Sequence, residues 1–147
     1  HAPVYYTVSI HFPEEYVGQH FVISNPKING VDAALTNQGA VIYTDPDTHE
    51  QSVQYTFWEY TVEQGDDFSF KMDSGDQAHG WNTGEFSRYG TNIGSVTAAR
   101  YRIDEHGEYV KVADLQDLTS KTRHYQIQNV QEDTVIIFDF GEAPLPK

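Results

Sequence analysis

Apolar and polar residues alternate along most of this chain in short runs, with the period of two that sends successive side chains to opposite faces of a strand. In the first half the runs are Tyr5 to Phe12, His20 to Ser24, Ala40 to Thr44, Gln54 to Val62 and Asp67 to Met72. In the second half they are Arg100 to Asp104, Glu108 to Ala113, His124 to Asn129 and Thr134 to Phe140. They are rich in Tyr, Phe, Val and Ile, whose side chains suit a pleated, half-buried surface. Turn formers separate them: Asn29-Gly30, Asp45-Pro46-Asp47, Gln64-Gly65-Asp66, Ser74-Gly75-Asp76 and His106-Gly107. No convincing helix is found, and only Asp114 to Ser120 could form a turn of one. The expectation is an all-β domain.

The strands fall into three comparable blocks. Phe21-Val22-Ile23, Phe68-Ser69-Phe70 and Tyr109-Val110-Lys111 open them at spacings of 47 and 41 residues, and Trp58, Tyr101 and Phe140 lie in the strands that close them. Repetition at about forty residues predicts threefold pseudosymmetry. The segment from Trp58 through Gly65-Asp66-Asp67 to Lys71 resembles the junction between repeats in β-trefoil proteins. The Gln-x-Trp signature of ricin-type sugar-binding trefoils is absent, and the strand Tyr5 to Phe12 leaves the register of the blocks open. A Greek-key β-sandwich has similar strand spacing and stands as the alternative.

Composition narrows the functional classes. The 147 residues suit a single domain, 1–147, and the 38% hydrophobic and 14% aromatic content is enough to build a core. The formal charge of -13 argues against nucleic acid and anionic membrane surfaces, both of which need a basic patch. With no Cys there is neither a disulfide framework nor a thiolate site. No apolar run approaches a membrane span. The chain opens on His1, so a signal peptide or initiator Met is expected to have been removed, and the absence of an Asn-x-Ser/Thr sequon weakly favours a protein that never entered the secretory pathway. Cytoplasmic and secreted proteins both fit.

Catalytic chemistry finds little purchase. Glu14-Glu15, Asp66-Asp67 and Glu132-Asp133 sit at turns, where solvent keeps carboxyls near ordinary behaviour. Ser24, His79 and Asp104 form a triad only on paper, without a nucleophile elbow. The protein is read as a non-enzyme. Seven His are scattered without metal-ligand spacing. His1, with a second His such as His79, would resemble the histidine brace of copper-dependent polysaccharide oxygenases, which usually carry disulfides and a larger body. Asp45-Pro46-Asp47 and Asp73-Ser74-Gly75-Asp76 could offer oxygens to calcium but read better as turns. No cofactor or metal is expected. Trp81 and Tyr89, with Phe86 in the Gly-rich stretch 80–94, could stack on sugar rings or plug the end of a barrel.

Scarce basic residues point to a loop. Only nine Lys and Arg occur, and Lys27 stands in Ser24-Asn25-Pro26-Lys27-Ile28-Asn29-Gly30 between two early strands. Pro26 fixes its own φ and holds Asn25 extended, while Asn29-Gly30 turns the chain. Asn25, Pro26, Lys27, Ile28 and Asn29 are therefore expected to form a braced loop, with Lys27 offered to the specificity pocket of a trypsin-like serine protease. An ordinary surface Lys in a hairpin is the plain alternative. Lys121 and Arg123 mark a second candidate loop.

A Cys-free, acidic, Tyr-rich trefoil of this size is similar to the mushroom protease inhibitors of the mycocypin and cospin-like groups. That resemblance implies inhibition through variable loops, of serine or cysteine proteases, with Asn25 and Asn82 relevant only to an asparagine-specific target. The sequence thus reads as a monomeric inhibitor of trypsin-like proteases acting through Lys27. The alternative is a lectin on the same fold, binding glycan at Trp81 or Tyr89, and a copper protein using His1 is the third reading.

Overall fold

The computed structural model describes residues 2–13, 22–73, 93–116, 118 and 124–142. They form ten strands and, among the described residues, no helix: β1 (Tyr5–Pro13), β2 (Val22–Ile28), β3 (Val31–Asp32), β4 (Asn37–Thr44), β5 (Gln51–Glu63), β6 (Phe68–Asp73), β7 (Ile93–Ile103), β8 (Tyr109–Leu115), β9 (His124–Ile127) and β10 (Thr134–Glu142). Eight of the nine alternating runs lie mostly in strands, as does the Val22 to Ser24 part of the ninth, whose His20 and Phe21 lie outside the described residues, and the protein is all-β. Only the two-residue β3 escaped the pattern, being too short to show alternation. Asp114 and Leu115, expected to begin a helical turn, instead complete β8.

Two sheets result, one of six strands in the order β4-β5-β1-β10-β7-β8 and one of four in the order β3-β2-β6-β9. At the centre of the larger sheet β1 and β10 run parallel, with Val8 opposite Thr134 and His11 opposite Ile137. The other ladders are antiparallel. Threefold symmetry is not confirmed. The strands opening the three blocks would be equivalent in a trefoil, yet β2 and β6 pair with each other in the smaller sheet while β8 is an edge of the larger. Strands of similar length joined by similar turns produce a regular spacing whatever their partners.

The sheets pack face to face through rings. Phe138 of β10 meets Tyr125 of β9 at 5.2 Å and Phe70 of β6 at 6.1 Å, and Tyr60 of β5 meets Phe68 of β6 at 5.1 Å. Val8, Ile10 and Phe12 supply the inward parity of β1, and all are fully buried. Edge-to-face contacts such as Phe12 on Phe138 at 4.7 Å add to the burial of apolar area.

One end of the sandwich is tied by three turns. Asn29, Gly65 and Asn129 have φ of 52°, 90° and 54°, in the left-handed region. Asn29 Nδ2 donates to Asp66 Oδ1 and Asn29 Oδ1 accepts from the Asp67 amide, while Asp67 Oδ1 accepts from the Asn129 amide. Asp66 and Asp67, considered as a carboxylate pair in the sequence, hold turns together here.

Candidate functional site

Residues 25–29 lie where the inhibitory loop was expected, but the local structure differs. Asn25 takes a φ of 53° within a bulge of β2 between Ser24 and Lys27, so it is not extended before Pro26. Asn29-Gly30 is a two-residue hairpin turn with positive φ at both positions, closing β2 onto β3. Lys27 therefore sits in a strand, opposite Asp32 on one side and Ser69 on the other. Its Nζ lies 3.0 Å from Asp32 Oδ1, and its side chain is 33% exposed. A short turn and a bulge satisfy the Pro and Asn-Gly signals as well as a protruding loop would. Trp81, Tyr89, Lys121, Arg123, Asn82, His79 and His1 lie outside the described residues. Among the described residues no group of three His, Asp or Glu is placed to hold a metal. Asp45 is the anchor of a turn, its Oδ1 accepting the amides of Asp47 and Thr48, and those bonds hold its carboxyl below the usual range.

The more developed site lies on the face of the larger sheet turned away from the core. There β1 places Ser9 and His11 at the parity opposite Ile10 and Phe12, a position that alternation would give to solvent, yet His11 is only 3% exposed. Aromatic rings cover it: Phe57 stacks at 5.6 Å, Tyr55 is tilted at 6.0 Å and Tyr109 stands edge-on at 6.0 Å. Gly39 on β4 makes room for Phe57, since a Cβ there would come within 3.0 Å of its ring. Tyr109 belongs to β8, three strands from β1. A flat sheet would separate those backbones by about 14 Å, so the sheet must coil for the rings to meet.

This coiling makes the face concave. A cavity of about 340 Å³ opens on it, lined among others by Tyr55, Thr97, Tyr101, Lys111, Asp114 and Asp139. The volume falls within the range of small-molecule sites. Lys111 Nζ lies 2.6 Å from Asp114 Oδ1, a half-exposed pair whose hydrogen bond and charge raise the ammonium above its ordinary value. Burial, and then the negative charge of Asp139, push the Tyr55 hydroxyl up. A second cavity of about 310 Å³, bordered by Arg100, Gln128, Gln131 and Glu132, shares Tyr101 as a wall.

His11 is the oddity at the foot of this arrangement. Its Nε2 is 3.0 Å from Ser9 Oγ, while its Nδ1 is buried without a hydrogen-bond partner among the described residues. Desolvation lowers its pKa to about 4. The signal that could have revealed the face was parity: His11, Tyr55, Phe57 and Tyr101 put rings on positions where a sheet with one wet face carries polar residues. The chain matches no protein-family model, no curated protein and no solved structure.

Proposed function

We propose that the protein is a non-catalytic carbohydrate-binding domain, and that the concave face of the six-stranded sheet is its binding surface. The observation that carries this reading is the cleft in which Tyr55 and Tyr101 stand beside Thr97, Lys111, Asp114 and Asp139. Sugar rings combine an apolar face, which stacks on aromatic rings, with a rim of hydroxyls that carboxylates and ammonium groups hydrogen-bond. Strands rather than loops position these side chains, so little ordering is left to be done on binding.

Titration of neutral and charged oligosaccharides, followed by tyrosine fluorescence and calorimetry, tests the reading. Tyr55→Ala and Tyr101→Ala should each weaken binding about tenfold or more, as expected for loss of one stacking ring, whereas Tyr55→Phe should retain most of it. Binding that is indifferent to both alanine variants would remove the cleft from consideration.

Inhibition of a trypsin-like protease through Lys27 has less support. Substrate-like occupation requires the reactive segment to offer its backbone to the protease, and the Lys27 backbone lies between β3 and β6. Stoichiometric loss of trypsin activity with the parent, abolished in Lys27→Ala, would restore that reading.

A further inference from the structure

Resting on the carbohydrate reading, we infer that the cleft selects cationic amino sugars, oligomers of unacetylated glucosamine in particular, over neutral and acidic glycans. Its charges decide the matter. Among the described residues Lys111 is the one cation lining the cleft, and Asp114 already pairs with it at 2.6 Å. Asp139 has no ion-pair partner among the described residues, and it lies close enough to Tyr55 for its charge to act on that hydroxyl. A ligand ammonium thus meets an unspent carboxylate and two tyrosine rings, whose faces attract cations. The chain's formal charge of -13 adds a background that repels uronates and sulfated sugars.

Neutral sugars would gain only the stacking and hydrogen-bonding part of this arrangement. An N-acetylated ring would also lose the ammonium, and it would bring an amide without a charge to answer Asp139. The distinction therefore concerns the amine and not the size of the ring.

The experiment is calorimetric titration of the whole chain with the glucosamine tetramer, the N-acetylglucosamine tetramer, cellotetraose and tetralysine. The expected order places the glucosamine tetramer first, by about fivefold or more over either neutral sugar. Asp139→Asn should lower its affinity about fivefold and that of cellotetraose by a clearly smaller factor, since the neutral sugar loses a hydrogen bond but no charge pairing. Lys111→Gln should raise it, an outcome that damage to the fold cannot imitate. Equal or tighter binding of a neutral tetramer overturns the inference and leaves the glycan reading intact. Tetralysine binding as tightly as the glucosamine tetramer, or an Asp139→Asn variant that is unaffected, reduces the effect to general charge attraction and also overturns it. No binding of any of the three sugars overturns the carbohydrate reading itself.

Discussion

His11 is a titratable ring with one nitrogen satisfied by Ser9 and the other by none of the described residues, enclosed by Tyr55, Phe57 and Tyr109. Its pKa of about 4 against an ordinary 6.5 makes it a source of pH-dependent stability. As pH falls through 6.5 the unfolded chain takes up a proton that the folded chain refuses until about pH 4. The stability His11 confers is therefore complete above pH 6.5 and lost progressively down to about 4, by roughly 3 kcal/mol in all. Urea unfolding across this window should show that loss in the parent, and His11→Gln should flatten it, with the carboxylates contributing equally to both proteins. Asn29 makes a different kind of contribution, through its left-handed backbone and its bonds to Asp66 and Asp67. Asn29→Gly keeps the backbone and loses the bonds, at a cost of about 1–2 kcal/mol. Asn29→Ala adds the Cβ strain of that conformation, about 1 kcal/mol more. Equal unfolding midpoints for the two variants would show that the backbone conformation contributes nothing.

Strands were legible in the sequence because alternation is a local property, and nearly every run from Tyr5 to Phe140 reports it. Partners were not legible. Whether β2 pairs β6 or begins a trefoil repeat depends on which faces meet, and one strand carries no mark of that. Turn chemistry was similarly half informative: Asn29-Gly30 correctly announced a reversal, but its two-residue geometry pulls Lys27 into a ladder where a longer connection would have displayed it. Tyr55, Tyr101 and Asp139 went unnoticed as a group because they come from β5, β7 and β10, and only the coiling of the sheet gathers them. A ring at an outward position of a single strand is unremarkable. Rings at that parity on neighbouring strands mark a face built to be covered.

For the molecule as a whole, the sheets share a single inner layer of rings, while the larger sheet has a second, smaller apolar patch on its outer side around His11. The inner layer secures the fold. The two halves of the larger sheet are joined by β1 and β10, which come from opposite ends of the described chain and lie side by side at its centre. Because these two strands are parallel, force applied between Tyr5 and Glu142 slides one lengthwise along the other and loads the register from Val8–Thr134 to His11–Ile137 at once. Pulling across the β4–β5 hairpin would instead open its bonds one after another. Single-molecule stretching from the two ends should accordingly meet a sharp, high rupture force, and attachment across β4 and β5 a low one, so that the domain resists tension along one axis and yields along another.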